Sequence, residues 1–226
     1  MGFADRRQAG QQLARRLAHL KSRHPVVLAL PRGGVPVGFE IARALAAPLD
    51  LVLVRKIGAP GQPELAIGAV ADGAHPELVT DPSLASWLAV APEYLQAAKA
   101  RELAEIERRR RLYFGDRAPV EVRRRTAILV DDGIATGATM RAALRATRRR
   151  APAWLVLAVP VAAPDTLARF QGEADEIVCL ETPAAFMAVG QFYRSFPQLE
   201  DDEVIALLRA AQEFIPPADG RGSAHG

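Results

Sequence analysis

Residues 128–139, with the sequence ILVDDGIATGAT, constrain the fold more than any other part of this chain. The segment begins with a short apolar run, typical of a buried strand, and continues into a loop of small residues that leads into a helical pattern. Such a loop lets backbone N–H groups approach an anion at the positive end of a helix. The segment therefore predicts a strand, a phosphate-binding loop and a helix in succession.

Two acids, Asp131 and Asp132, stand between this strand and the loop. Two carboxylates beside a phosphate would repel it unless something polar or cationic lay between them, and ribose hydroxyls with a bound Mg²⁺ would fill that gap. The alternative is that one aspartate caps the next helix and the other is solvated, which explains only one of the two acids. The loop lacks the lysine of a P-loop, which disfavours a nucleoside triphosphatase.

The whole chain has 226 residues, half of them apolar, and this suits one α/β domain. Buried strands alternate with helical patterns, which predicts a mostly parallel sheet flanked by helices, with the ligand at the carboxyl ends of the strands. Strands are predicted at 25–30, 50–55, 126–130, 154–159 and 176–180, and helices at 3–20, 35–47, 92–114, 137–150, 164–171 and from 201 onwards.

Targeting signals are not evident in the sequence. The apolar run at 153–164 is too short to span a bilayer, and the first residues lack the apolar core of a signal peptide, so we expect a cytoplasmic protein. The lone cysteine, Cys179, lies in a strand pattern and is interpreted as strand core.

A second motif, LPRGG at residues 30–34, follows the first predicted strand. Residues 130–139 resemble the signature of type I phosphoribosyltransferases, and LPRGG resembles the pyrophosphate loop of the same superfamily. The whole chain is similar to a branch of uncharacterised bacterial phosphoribosyltransferase-like proteins. The resemblance implies one domain over residues 1–215, with a core at about 25–180 and a small C-terminal hood at about 181–215, followed by a disordered tail at 216–226.

The resemblance also implies roles for the residues of both motifs. Asp131 and Asp132 would bind the ribose 2- and 3-hydroxyls and Mg²⁺, directly or through water. The 5-phosphate would bind the loop residues Ala135, Thr136, Gly137, Ala138 and Thr139, and Gly133 would also contact the donor. Pyrophosphate would bind Arg32, Gly33 and Gly34, since glycines expose backbone donors. An ordinary strand-to-helix turn at LPRGG is the alternative.

Basic residues at the predicted end of the second strand suggest a further contact with pyrophosphate. Arg55 and Lys56 stand there, and Lys56 is one of three lysines in the chain. Related enzymes carry basic residues at this place and use the following loop as a lid, which here would be a hairpin at 58–67. The alternative is that two charged residues merely close a strand.

The acceptor is less well defined by the sequence. Residues 186–193 occupy the place of the hood over the acceptor, and Phe192 or Tyr193 could stack on a ring or, alternatively, pack in the core. Hypoxanthine-type enzymes have an aspartate where this chain has Ala135, which weakens a hypoxanthine or guanine assignment.

These features predict a Mg²⁺-dependent transferase of nucleotide metabolism that moves the phosphoribosyl group of phosphoribosyl pyrophosphate to a nitrogen nucleophile such as a nucleobase. The alternatives are a non-catalytic sensor with a regulatory role and a hydrolase of the same donor. Arginine clusters at 108–111, 123–125 and 148–150 could bind nucleic acid. Glutamates on the same helix explain the first cluster better, and the favourable position of cations at a helix C-terminus explains the third. No recognisable nucleic-acid motif accompanies them, so neither nucleic acid nor membrane is an expected partner. A homodimer is common in the superfamily, although no sequence feature demonstrates one here.

Overall fold

The computed structural model describes residues 2–72, 77–80, 82–115 and 117–214. Its strands are β1 (Val26–Ala29), β2 (Leu49–Leu51), β3 (Val54–Ala59), β4 (Gln62–Ala71), β5 (Glu77–Thr80), β6 (Thr126–Val130), β7 (Trp154–Val161) and β8 (Glu176–Glu181). Its α-helices are α1 (Arg6–Arg16), α2 (Gly34–Leu45), α3 (Pro82–Trp87), α4 (Pro92–Phe114), α5 (Ala138–Arg149), α6 (Pro164–Ala168) and α7 (Asp201–Ala210). Short 3-10 helices cover Ala18–Arg23, Val189–Phe192 and Ala211–Phe214. The predicted tail at 216–226 lies outside the described residues.

The core is a parallel sheet of five strands in the order β2-β1-β6-β7-β8. Its strands are apolar on both faces, and alternate residues contact different helices. Val27 and Ile128 pack in a cluster with α1, α2 and α7, whereas their neighbours Leu28 and Leu129 pack in a cluster with α5. Burial on both faces explains the continuous apolar runs of the sequence. The predicted mostly parallel sheet flanked by helices is confirmed.

A second sheet is antiparallel and consists of β3, β4 and β5. The prediction of one strand over residues 50–55 is wrong, because β2 ends at Leu51 and the chain then crosses to the second sheet. Val52 still donates its N–H to the carbonyl of Ala29 at 3.0 Å, but the N–H of Leu53 donates to the Asp72 carboxylate at 3.1 Å. The predicted hairpin at 58–67 is present within β3 and β4.

The long helix α4 has the bounds predicted from its sequence and packs against this second sheet. The expected pairs of acid and base four residues apart are present, at 2.9 Å for Glu105 and Arg109 and at 3.2 Å for Glu107 and Arg111. Arg110 pairs instead with Asp72 at the end of β4. These contacts favour the interpretation of the first arginine cluster as helical charge pairing.

Residues 3–4 meet residues 192–195 at the carboxyl edge of the parallel sheet. Phe3 donates its N–H to the carbonyl of Phe192 at 2.8 Å and accepts from the N–H of Arg194 at 2.9 Å. The side chain of Phe3 is buried and packs against Tyr193. The start of the chain is therefore part of the hood. No helix within the described ranges combines the length and the apolar character that crossing a membrane requires.

Candidate functional site

Two neighbouring strands bring the motifs together. Strands β1 and β6 are parallel, with Ala29 opposite Val130, so both end at the same edge of the sheet. Leu30 then donates its N–H to the carbonyl of Val130 at 2.9 Å, and the turn continues through a cis peptide bond between Pro31 and Arg32. Helix α2 begins at Gly34. The turn after β1 is thereby held beside the two acids that follow β6.

The contact between the two motifs is too close for a side chain on the turn. A Cβ atom built on Gly33 would lie 2.5 Å from Cγ of Asp132 and closer still to Oδ2. A Cβ atom on Gly34 would lie 2.6 Å from the carbonyl oxygen of Val130 and 2.9 Å from Cα of Asp131. Backbone contacts therefore require glycine at position 34, and a side chain at position 33 would displace the carboxylate of Asp132.

The acidic pair is partly enclosed, and burial raises the pKa of both carboxyl groups. Asp132 donates its backbone N–H to Oδ1 of Asp131 at 2.9 Å. Loss of hydration raises the pKa of Asp131 well above its ordinary value, and the charge of Asp132 raises it further. Loss of hydration also raises the pKa of Asp132, an effect that Arg6 opposes. Neither acid caps α5, whose N-cap residue is Gly137, so that alternative is wrong.

The loop between the acids and α5 is held by hydrogen bonds to β7 and α6. Ile134 donates its N–H to the carbonyl of Val161 at 2.9 Å, and the carbonyl of Ala135 accepts from the hydroxyl of Thr166 at 2.7 Å. Gly137 has a φ of +83°, a left-handed conformation that favours glycine. Thr136 is exposed. The loop is thus rigidly attached to the sheet and open to solvent at the start of α5, as an anion site at a helix N-terminus requires.

Arg6 is a residue of the site that the sequence interpretation missed. Its Nε donates to Oδ2 of Asp132 at 2.8 Å, and its side chain is only 10% exposed. One signal in the sequence points to such a role. Arg6 opens α1, and a cation in the first turn of a helix is disfavoured by the helix dipole, so a partner elsewhere in the fold is needed to offset this cost.

The hood aromatics are largely occupied with one another. Tyr193 is buried, packs between Phe3 and Phe196, and donates its hydroxyl to the carbonyl of Asp132 at 2.6 Å. The interpretation of Tyr193 as a stacking platform is therefore wrong, and the alternative, core packing, holds. Phe192 is half-buried, and its ring centroid lies 5.3 Å from that of Phe186.

A groove of about 500 Å³ remains between the hood and the turn, lined in part by Arg6, Arg32, Asp132, Val189, Phe196 and Leu199.

The three basic residues predicted to bind pyrophosphate differ in how strongly other residues restrain their side chains. The guanidinium of Arg32 lies 3.8 Å from the carboxylates of Glu200 and Asp201, a distance that indicates loose pairing. Arg55 is held by Glu102 of α4 at 3.0 Å. Lys56 is exposed and makes no ion pair with any residue that the structure describes. Both Arg55 and Lys56 lie in β3, so the prediction that they end the second parallel strand is corrected.

A metal ion at this site would have few protein ligands. The described part of the chain contains no group of three or more His, Cys, Asp or Glu side chains arranged to hold a metal. Asp131 and Asp132 are the acids at the site. Mg²⁺ is commonly bound by one or two carboxylates together with substrate phosphates and water, so the residues present fit Mg²⁺ that arrives with a phosphorylated ligand.

Comparisons with known proteins agree with this geometry. The chain is 49% identical over 213 residues to Rv0571c of Mycobacterium tuberculosis strain H37Rv, whose name assigns it provisionally as a phosphoribosyl transferase. This alignment covers 94% of the chain but 48% of the relative, so the chain spans about half the length of that protein. The crystal structure of TT1426 from Thermus thermophilus has a TM-score of 0.77 and 44% identity, and the match covers 96% of this chain and all of that one. The family model of the phosphoribosyl transferase domain matches residues 5–194, and the chain therefore belongs to this family.

Proposed function

We propose that this protein is a Mg²⁺-dependent phosphoribosyltransferase that uses phosphoribosyl pyrophosphate as its donor and a nitrogen nucleophile, such as a nucleobase, as its acceptor. The observation that carries the proposal is the contact of Gly33 with Asp132, which joins the proposed pyrophosphate turn to the proposed ribose acids. The LPRGG turn, the acidic pair and the loop at 135–139 then follow one another along a single edge of the sheet. This order matches the donor, whose ribose lies between a pyrophosphate group and a 5-phosphate group.

The proposed roles follow from what each group can bind. Asp131 and Asp132 would accept hydrogen bonds from the ribose 2- and 3-hydroxyls, and the loop at 135–139 would bind the 5-phosphate through backbone N–H groups at the start of α5. Gly33 and Gly34 would present backbone donors to pyrophosphate. Ribose hydroxyls would also replace part of the hydration that the enclosed acids lack. The site would thus fix both ends of the donor around its C1 atom.

Catalysis would come mainly from position and charge. The nitrogen nucleophile would form a bond to C1 as the bond to pyrophosphate breaks, through a transition state with oxocarbenium character. Bound Mg²⁺ would supply positive charge to the pyrophosphate oxygens. Arg32 and Lys56 would stabilise the same oxygens, and closure of the β3–β4 hairpin would exclude water from the reacting carbon.

The acceptor side of the proposal rests on the groove next to Asp132. Val189, Phe196 and Leu199 provide apolar walls there, close to the proposed ribose position. Position 135 is alanine, so the loop offers no carboxylate there to take a proton from the acceptor. We therefore favour acceptors that need no such carboxylate over hypoxanthine or guanine.

Release of pyrophosphate tests the proposal directly. The purified protein would be incubated with phosphoribosyl pyrophosphate, Mg²⁺ and a panel of nucleobases, with products separated by chromatography. We expect base-dependent pyrophosphate release together with a new nucleoside monophosphate. Tight donor binding without turnover would support a sensor instead, and release of ribose 5-phosphate without any acceptor would identify a hydrolase.

Lys56→Ala is expected to lower kcat by about 100-fold, because it removes a cation from the developing charge on the leaving pyrophosphate. The stability of the fold should be unaffected, since Lys56 is exposed. Steady-state kinetics would be compared with those of Lys21→Ala, which removes an exposed lysine from the 3-10 helix that precedes β1, at the opposite end of the sheet. Equal rates in the two variants would show that Lys56 does not contact the leaving group.

A further inference from the structure

Arg6 connects three parts of the site through a single side chain. Its Nε donates to Oδ2 of Asp132 at 2.8 Å, and its Nη1 donates to the carbonyl of Pro197 at 2.8 Å. Its Cζ atom lies 3.7 Å from the centroid of the Phe196 ring, so the guanidinium stacks on that ring. One arginine thus contacts a proposed ribose acid, the backbone of the hood and an aromatic wall of the groove.

We infer that Arg6 is a positioning residue that fixes the carboxylate of Asp132 for the donor's ribose and couples the donor site to the hood. This inference rests on the proposed function. Arg6 occupies one of the roughly four lone-pair positions of the Asp132 carboxylate, at Oδ2. Asp132 can therefore keep its bond to Arg6 and still accept a ribose hydroxyl.

The packing of α1 holds Arg6 in place. Arg6 lies one turn before Gly10 on the same face of α1, and a Cβ atom on Gly10 would lie 2.7 Å from the carbonyl oxygen of Val37 in α2. The glycine therefore lets the two helices approach closely. Since α2 starts at the end of the LPRGG turn, this contact fixes α1, and with it Arg6, relative to the turn.

The backbone next to Arg6 is equally fixed to the hood. Phe3 pairs with Phe192 and Arg194, and the carbonyl of Ala4 accepts from the N–H of Ser195 at 2.9 Å. Any displacement of the hood would therefore be transmitted to α1 and to the Arg6–Asp132 pair. An acceptor that orders the hood would, by the same route, order the ribose acid.

Donor binding by two matched variants tests this inference. In Arg6→Gln, the dissociation constant of phosphoribosyl pyrophosphate with Mg²⁺, measured by titration calorimetry, should rise by about 10- to 100-fold, the range found when the hydrogen-bond partner of a metal-binding side chain is removed. Arg7→Gln removes the same charge from the next residue of the helix, which is exposed, and should bind like the wild type. Arg6→Lys should give an intermediate affinity, because lysine can pair with Asp132 but lacks the planar fork that also reaches Pro197.

Steady-state kinetics separate this role from a purely structural one. Loss of positioning should raise the KM for the donor more than it lowers kcat, whereas partial unfolding would lower kcat and leave KM unchanged. Equal donor affinity of Arg6→Gln and Arg7→Gln would overturn the inference and leave the proposed function standing. If Arg6→Gln does not fold, Arg6→Lys decides, because wild-type affinity there would also overturn it. If the wild type binds no donor, both proposals fail.

Discussion

Gly33→Ala is expected to weaken donor binding by about 100-fold. The backbone at Gly33 has a φ of −59° and a ψ of −38°, a conformation that alanine adopts without strain. The effect therefore comes from the added Cβ atom, which would lie 2.5 Å from Cγ of Asp132. Asp132 cannot yield easily, because Arg6 holds its carboxylate and Tyr193 holds its carbonyl. Either the carboxylate of Asp132 leaves its bond to Arg6 or the turn and the acid separate, and a misplacement of about 1 Å can cost roughly 100-fold in a site of this kind.

Titration calorimetry with phosphoribosyl pyrophosphate and Mg²⁺ would measure this loss, with the thermal midpoint recorded in parallel. Gly172→Ala provides the control, because Gly172 has a φ of +82° and nothing within 4 Å of an added Cβ atom. That control should lose a little stability through backbone strain and keep its donor affinity. Wild-type affinity in Gly33→Ala would show that the contact between the turn and Asp132 is not part of a donor site.

The sequence predicted the centre of the parallel sheet well, because β1, β6 and β7 are buried along almost their whole length and appear as uninterrupted apolar runs. The same property hid the break between β2 and β3. Residues 49–54 are apolar throughout apart from Asp50, yet the chain leaves the parallel sheet after Leu51. The break is set by hydrogen bonds to Ala29 and Asp72, which lie about 20 residues away on either side. No local pattern carries such information.

Residues of the site could be predicted where they form a continuous motif, but not where they are distant from the motifs in sequence. Asp131, Asp132 and the loop after them form one continuous motif, and LPRGG forms another. Arg6 reaches Asp132 across 126 residues, and only its unfavourable place at the start of α1 could have indicated a distant partner. The sequence left both roles open for Tyr193, because it does not show which face of an aromatic residue the fold covers.

Removal of both charges in Asp131→Asn with Asp132→Asn is expected to abolish donor binding while the protein still folds. Each carboxylate would accept a ribose hydroxyl, and hydrogen bonds to charged groups contribute about 1.5–3 kcal/mol each, so the pair accounts for roughly 100-fold in affinity or more. Asparagine keeps the shape of aspartate, so the contact with Gly33 remains. Calorimetry with the donor and Mg²⁺ measures the effect, and Asp165→Asn, an exposed acid at the start of α6, is the matched control.

Asp131→Asn alone separates lost binding from lost structure, because it leaves the Arg6–Asp132 pair intact. The pKa of Asp131 is raised in the folded protein, first by loss of hydration and then by the charge of Asp132, so its carboxylate destabilises the fold above the unfolded-state pKa. Without donor or Mg²⁺, the single variant should therefore melt no lower than the wild type at pH 8, yet bind the donor more weakly. Unchanged donor affinity in the double variant would contradict the assignment of these acids to the ribose. A lower melting temperature in Asp131→Asn would instead show that the charge of this acid stabilises the folded protein.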